Sequence, residues 1–241
     1  MSKTIIPLIA ASALLAGCHA RGEESGGGAT VSRNYNVGDF QQIEVAGPYD
    51  VEGRTGSKVS VAAQGSEKLL ERTEVEVKDG KLVIRPEHQR GWFHWGWSTH
   101  GNAHFIVTVP QLTGAEIAGS GDIRVDKVAG QDFTGTVAGS GSIDVASLAV
   151  QQLKLSIAGS GDVKGAGTAQ FAKYDIAGSG DIDAGAVQTQ SLEVSIAGSG
   201  GVKGRATGTA NISIMGSGDV DVTGGAKCNV SKAGSGNAHC S

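Results

Sequence analysis

The sequence lacks two features that would mark large classes of protein, an excess of positive charge and a long apolar segment. Its 20 Lys and Arg residues are outnumbered by 24 Asp and Glu residues, so the formal net charge is −4 at pH 7. Without a basic stripe, the chain has no electrostatic footprint for binding nucleic acid. Its strongly apolar run, Ile5–Leu15, is too short for a transmembrane helix, which needs about 20 residues.

Glycine, in contrast, is abundant, and its 39 residues are too frequent for long helices. A Gly-Ser-Gly triplet recurs seven times in the C-terminal half of the chain. Its first glycines, spaced by 20, 20, 19, 20, 18 and 18 residues, are Gly119, Gly139, Gly159, Gly178, Gly198, Gly216 and Gly234. A repeat of this period is one supersecondary unit, which buries its apolar face only by stacking on its neighbours.

The repeats also show the apolar alternation of a β-strand with one buried face. In the first six of them, β-branched residues lie two residues before and four residues after the first glycine. A strand rises about 3.3 Å per residue, so 20 residues have a contour of roughly 66 Å, which suits a closed turn with two or three sides. We therefore predict an all-β fold, a single-stranded parallel β-helix (solenoid) with coils of 18–20 residues and glycine at the corners.

The residues five positions after each first glycine, which are expected to face outward, support in-register stacking. Its charges alternate in sign through the first six repeats, in the order Arg124, Asp144, Lys164, Asp183, Lys203, Asp221, and His239 follows. Unlike charges on neighbouring strands stabilise a sheet by up to about 1 kcal/mol, so we interpret this charge ladder as structural. Asp122, Asp162, Asp181 and Asp219 share another position. The nine-residue period of calcium β-rolls is missing, so we expect these carboxylates to accept backbone N–H hydrogen bonds at turns.

The N-terminus has the pattern of a bacterial lipoprotein signal peptide. Lys3 precedes the apolar run, and Leu15-Ala16-Gly17-Cys18 matches a lipobox. We predict that residues 1–17 are removed and that Cys18 is lipidated, which attaches the protein to a membrane permanently. Loss of Lys3 would change the net charge from −4 to −5.

The residues that follow predict a tether and a location. His19 rather than Asp follows the cysteine, and by resemblance to Gram-negative sorting signals this favours the outer membrane. Residues 18–34 include Gly26–Gly28 among small and charged residues, a composition that predicts a flexible tether.

Two further cysteines lie in the last repeat. Cys228 and Cys240 stand six residues before and six residues after Gly234, both at inward positions. The predicted compartment permits disulfides, so we expect a bridge that closes the C-terminal end of the helix. Two buried free thiols are the alternative.

Residues 35–110 are rich in strands but less regular than the repeats of residues 111–241. Val45–Val51 is a degenerate version of the Ala-Gly-Ser-Gly-Asp-Ile unit. We therefore expect the β-helix to begin near Phe40 and residues 35–241 to form a single domain.

Four stretches of the chain together carry a family resemblance. They are Phe40–Val45, Lys81–Ile84, Val109–Leu112 and Ile117–Ile123. In their order and spacing, over residues 36–236, they resemble the head GIN domain family of putative auto-transporter adhesins. The resemblance implies a right-handed parallel β-helix on a bacterial envelope protein, and it supplies no catalytic residues. No region has the strand count of a translocating outer-membrane barrel, and a lipid anchor takes its place here.

One chemically unusual segment, His88–His104, holds all three Trp residues and four of the six His residues. A binding loop is one interpretation, in which aromatic side chains stack on sugar rings or on a partner's apolar surface. Its members would be Trp92, Phe93, Trp95 and Trp97. Weak candidates for a metal site are His94, His100 and His104, although they lack the close pairing of zinc ligands. The third interpretation is a hairpin whose aromatics cover one end of the helix.

The sequence therefore predicts a lipid-anchored protein of the bacterial cell envelope that binds a glycan or an envelope protein in an adhesin-like or scaffolding role. We expect no cofactor, no resident metal and no catalytic residues. A polysaccharide-processing β-helix enzyme is the alternative, but no paired carboxylates and no Ser-His-Asp or Cys-His arrangement can be inferred. A purely structural envelope component is the third possibility.

Overall fold

The computed structural model describes residues 29–87 and 103–241. In chain order the strands are Thr30–Tyr35 (β1), Gln42–Ala46 (β2), Asp50–Thr55 (β3), Ser60–Ser66 (β4), Thr73–Lys78 (β5), Lys81–Pro86 (β6), Ala103–Val109 (β7), Gly114–Gly119 (β8), Asp122–Val125 (β9), Val128–Gly139 (β10), Ser142–Gly159 (β11), Asp162–Gly178 (β12), Asp181–Gly198 (β13), Gly201–Gly216 (β14), Asp219–Thr223 (β15), Lys227–Gly234 (β16) and Asn237–Cys240 (β17). A short helix, α1 (Glu67–Glu71), follows β4. In this part of the chain no helix is long and apolar enough to cross a membrane.

The repeats form a parallel β-helix of about 6 turns, as the sequence predicts. Each of the strands β10 to β13 pairs in parallel with the next strand along the chain. In the last turn, β16 and β17 pair with β14 and β15. The first glycines of all seven triplets lie in one column, from Gly119 to Gly234.

Each regular coil has three sides, which the alternation of burial in β11 makes visible. Buried residues alternate with exposed ones along Ile143–Val145 (side A), Leu148–Val150 (side B) and Leu153–Ile157 (side C). Two consecutive exposed residues separate each run from the next, so the alternation changes phase and the chain turns there. The Gly-Ser-Gly triplet forms the third corner, between side C of one coil and side A of the next.

The triplet corner tolerates only glycine at its first position. All seven first glycines have positive φ angles, between 128° and 147°. A Cβ on any of them from Gly139 to Gly234 would lie less than 3.0 Å from the carbonyl oxygen of the glycine one coil earlier. That oxygen accepts a backbone hydrogen bond across the coil boundary, as in Ser160 N to Gly139 O at 2.9 Å. The coil spacing set by these hydrogen bonds leaves no room for a side chain.

The N-terminal half does not coil in sequence order. On side C, β2 lies between β6 and β8, and on side A, β3 lies between β7 and β9. The later strands β6 and β7 therefore form the outermost layer of the helix. Beyond them β5 pairs antiparallel with β6, β4 with β7, and β1 with β4. These antiparallel strands cover the sheet edges at this end.

The degenerate unit at Val45–Val51 is confirmed as a triplet corner, because Gly47 has a φ of 126° and Ala46 pairs with Ala118. The predicted boundary between tether and domain was wrong. Residues 30–34 belong to β1, which pairs with β4, so the ordered domain extends back to Thr30 instead of starting at residue 35.

The C-terminal end is closed by a disulfide, as predicted. Cys228 on side C is bonded to Cys240 on side A, with their Cα atoms 6.7 Å apart. Val230, whose equivalents in earlier coils are buried, is 48% exposed because no further coil covers it. Lys232 occupies an inward column next to Ile214 and donates a hydrogen bond to the Gly236 carbonyl at 3.2 Å. An inward charge on a terminal strand discourages another sheet from adding there.

Inside the helix, Tyr174 is buried without a hydrogen-bond partner for its hydroxyl among the described residues. Gly204, one of the small inward residues, lies close to its ring. Burial raises the pKa of the Tyr174 phenol above its usual value of 10.0, because the ionised form would be desolvated.

We expect Gly178→Ala to lower the free energy of unfolding by on the order of 3 kcal/mol or more, since it combines a positive φ with a backbone clash. The matched control is Gly185→Ala, because a Cβ at Gly185 would have no neighbour closer than 3.8 Å. Denaturant unfolding of both variants measures the difference. Equal stabilities would contradict the steric role of the glycine column.

We expect Tyr174→Phe to raise the free energy of unfolding by about 1 kcal/mol at neutral pH, because it removes an unsatisfied buried hydroxyl. The raised pKa also predicts an alkaline effect. The neutral phenol contributes its full stability below pH of about 10, and this contribution is lost as the pH rises further, because the unfolded chain ionises first. Unfolding measured from neutral pH to above this value should show a steeper loss for the native protein than for the variant.

Candidate functional site

Most of the aromatic segment, His88–His104, lies outside the described residues. This applies to Trp92, Phe93, His94, Trp95, Trp97 and His100, whereas His104 is described as part of β7. The topology still defines where the segment is attached. β6 belongs to side C and β7 to side A of the outermost layer, so residues 88–102 join two strands whose equivalents in regular coils flank a triplet corner. Connections of more than about 12–15 residues in compact domains are often functional.

At the base of this connection His104 faces a carboxylate, Glu52. The Nε2 atom of His104 lies 3.6 Å from one oxygen of Glu52, and the Nε atom of Arg54 lies 2.8 Å from the other. The hydrogen bond from Arg54 is the main cause that holds the pKa of Glu52 below its ordinary value. Within residues 29–87 and 103–241, no group of three or more His, Cys, Asp or Glu side chains is placed to hold a metal ion.

The charge ladder runs along the outer face of side A in the predicted register. Asp144 pairs with Arg124 on one side and with Lys164 on the other, and the alternation continues to Asp221 and His239. Arg124 contacts Asp122 at 3.6 Å. From Asp144 onward, however, no ladder side chain forms an ion pair within 4.0 Å of another described residue. The ladder is thus a register device with its charged groups in solvent.

Three of the four aspartates beside this ladder support the neighbouring coil, as expected from the sequence, whereas the carboxylate of Asp162 accepts no such hydrogen bond from another described residue. Asp122 accepts hydrogen bonds from the backbone N–H of Ser142 at 3.1 Å and from its hydroxyl at 2.6 Å. Asp181 accepts one from the backbone N–H of Gly201 at 2.7 Å, and Asp219 accepts one from that of Asn237 at 3.0 Å. These three carboxylates cap backbone groups at the start of side A, so their role there is structural.

Ion pairs near the N-terminal end also have a structural arrangement. Lys81 lies 2.8 Å from Glu116 and 2.9 Å from Glu44, and its hydrogen bonds to these carboxylates, that to Glu116 foremost, raise its pKa. Arg85 on β6 bridges Glu74 and Glu76 on the adjacent strand β5. A lysine held in its charged form by two carboxylates acts as a fixed cation and is a poor general base.

A groove that the sequence analysis did not identify lies on the outer face of side C. It has a volume of about 420 Å³ and is lined by residues of β10 to β14. Phe171 stands on its rim, at the corner between sides B and C, with 53% of its surface exposed. In neighbouring coils this column holds polar residues, namely Asp132, Gln152, Ser191 and Thr209. The sequence feature that could have indicated this groove is Phe171 itself, an aromatic residue seven positions before Gly178 where the equivalent residues of the neighbouring repeats are polar.

The groove combines that ring with a row of hydrogen-bonding side chains. Lys173 lies 2.5 Å from Glu193 and 4.0 Å from Asp175. Lys154 belongs to the same outward column as Lys173 and Glu193. We call this surface, from Asp132 to Asn211, the Phe171 groove. An exposed apolar platform flanked by donors and acceptors of both charges is suited to binding a polar ligand and offers no catalytic grouping.

Comparison with known proteins identifies the family. Residues 39–226 match the family described as "Putative auto-transporter adhesin, head GIN domain". No curated protein sequence is significantly similar to the chain.

Solved structures share the fold over nearly their whole length. A putative adhesin from Bacteroides fragilis is 25% identical with a TM-score of 0.80, over 88% of this chain and 97% of that chain. A putative lipid binding protein from Parabacteroides distasonis is also 25% identical, with a TM-score of 0.68, over 89% of this chain and 97% of that chain. A putative adhesin from Parabacteroides merdae has a TM-score of 0.66 at 19% identity, over 90% and 98% of the two chains, and this likeness concerns the fold alone.

Proposed function

We propose, from the premise that the chain belongs to the head GIN domain family of putative auto-transporter adhesins, that it is a non-catalytic, adhesin-like binding rod of the bacterial cell envelope. A lipid on Cys18 would anchor it to the outer membrane, and residues 19–29 would serve as the tether. The aromatic segment around Trp92, Trp95 and Trp97 would bind a glycan or an envelope protein.

The observation that carries this proposal is the position of the outermost layer. The segment is attached to β6 and β7 at the N-terminal end of the rod, and β1, which follows the tether, belongs to the same end through its pairing with β4. A tether of this length spans roughly 20 Å as a flexible chain. The segment would therefore be held near the membrane that carries the lipid, so its partner is expected in the protein's own envelope.

The lipid anchor is tested with Cys18→Ser. We expect the native protein to fractionate with membranes and to carry a mass increase from lipid, because a doubly or triply acylated cysteine binds a bilayer stably. The variant should lack the lipid and leave the membrane fraction. Ser12→Ala, a change in the signal peptide that spares Cys18, is the control. Membrane association of the Cys18 variant without lipid would contradict the proposed anchor.

Binding by the aromatic segment is tested with the triple variant Trp92→Ala, Trp95→Ala and Trp97→Ala. We prepare it in a soluble form starting at Arg21, which retains every described residue. Glycan arrays and pull-downs from envelope extracts should give ligands for the native form that the variant loses, because Trp supplies a large, rigid contact area. The circular dichroism spectra should be unchanged. Identical ligand profiles of the two forms would leave the segment with a packing role only.

A further inference from the structure

We propose that the Phe171 groove is a second binding site, specific for a neutral glycan. It lies far from β6, the strand to which the aromatic segment of the proposed function is attached. On side C, β12 is five strand steps from β6, by way of β2, β8, β10 and β11. At about 4.8 Å per step, the separation is about 24 Å. The two sites can therefore be removed independently.

Phe171 is the first observation that points to a ligand. The large apolar side chains that are exposed in the described part of the chain are Phe171, Met215 and Val230, and Phe171 is the aromatic one. Val230 is accounted for by its place on β16, the terminal strand of side C. Burying a phenylalanine stabilises a fold by about 1.5–3 kcal/mol, so an outward ring among polar equivalents contributes little to folding. A flat, exposed ring presents the surface on which the C–H face of a pyranose sugar packs.

The spacing of neighbouring side chains suits sugar rings. Gln152 and Ser191 flank Phe171 in the same column, one coil to either side. Coils are about 4.8 Å apart, which is close to the width of a pyranose ring. The groove volume of about 420 Å³ lies within the range of about 300–1,000 Å³ typical of small-ligand sites.

The polar side chains of the groove are of two kinds. Some are held in place: Glu193 holds Lys173 at 2.5 Å, and Asn211 accepts a hydrogen bond from Asn229 at 2.9 Å. Others are free to bind a ligand. Asp132, Gln152 and Lys154 form no side-chain hydrogen bond or ion pair with any other described residue. The side chains held in place lower the entropy cost of binding, and the free ones supply donors and acceptors to the ligand.

The charges of the groove favour a neutral ligand. Lys154 and Lys173 are balanced by Asp132 and Glu193, so the formal charge of the lining side chains sums to zero. A uronic acid or a sulfated sugar would meet two carboxylates, whereas hydroxyl groups both donate and accept and can use all four side chains. A protein partner would need roughly 800 Å² of matching surface with an apolar centre, and a single ring does not supply that centre.

Side A carries a larger groove, of about 710 Å³, which serves as a comparison. Its aspartates outnumber its lysines, and Asp181 and Asp219 are engaged in backbone caps. Its lining contains no Phe, Tyr or Trp side chain. The combination of ring, balanced charge and unengaged polar groups thus distinguishes the Phe171 groove from it.

The test uses the whole processed protein in detergent, with immobilised dextran, mannan and laminarin as neutral probes and with alginate and polygalacturonate as acidic ones. We expect at least one neutral probe to bind. Phe171→Ala should weaken that binding about tenfold or more, and Phe171→Trp should preserve it. Met215→Ala, which removes another exposed apolar side chain, next to the triplet corner at Gly216, should leave it unchanged. Raising the salt concentration should have little effect, since no net charge is neutralised.

Four outcomes would overturn the proposal. The first is that no neutral probe binds, and the second is that the native protein and Phe171→Ala bind equally. The third is that binding is confined to the acidic probes and is lost in salt. The fourth is that Phe171 is required for the capture of an envelope protein and not of a glycan. Unfolding midpoints of both Phe171 variants should match the native value, because the side chain is exposed. The triple Trp variant separates the two sites. It should retain binding through the Phe171 groove even where the aromatic segment proves to be inert.

Discussion

The fold depends on one constraint, the close backbone contact between coils at the triplet corner. There the carbonyl oxygen of each first glycine from Gly119 to Gly216 accepts a hydrogen bond from the next coil, as Gly139 does from Ser160. The same contact excludes a Cβ and requires a positive φ, so two independent restrictions select glycine. Because every coil repeats the contact, the corners stay in one column and bring the inward side chains of sides A and C into register, while register shifts around side B take up the differences in coil length. The apolar columns of the core follow from this alignment.

A solenoid held together in this way separates stability from surface chemistry. The corner glycines and inward β-branched residues supply the packing, so outward positions are free to vary without disturbing it. The outward residues of sides A and C accordingly differ in their roles. On side A, carboxylates such as Asp181 and Asp219 support backbone groups, and the ladder charges specify register. On side C, a single aromatic, Phe171, replaces the polar residue of the other coils, and it does so beside side chains that remain unengaged.

The two ends of the helix are protected against association with other sheets by different means. A parallel β-helix leaves unpaired strand edges and an open core at each end, and both invite association. At the N-terminal end the antiparallel strands β1, β4 and β5, together with α1, cover the first layer. At the C-terminal end the Cys228–Cys240 bridge spans the core, and the inward Lys232 places a charge where another coil would stack. An irregular cap at one end thus complements a covalent one at the other.

The sequence by itself determined the parallel β-helix, its corners, its charge register and its disulfide, because each depends on a local period that stacking repeats coil after coil. The order of the N-terminal layers was decided only by the tertiary structure. β2 and β3 insert between strands that come later in the chain, and residues 30–34 join the sheet as β1. Both arrangements depend on strand edges that are free only once the coils have formed. The Phe171 groove likewise joins side chains from successive coils of about 20 residues, such as Lys154, Lys173 and Glu193, and their closeness exists only in the stacked helix.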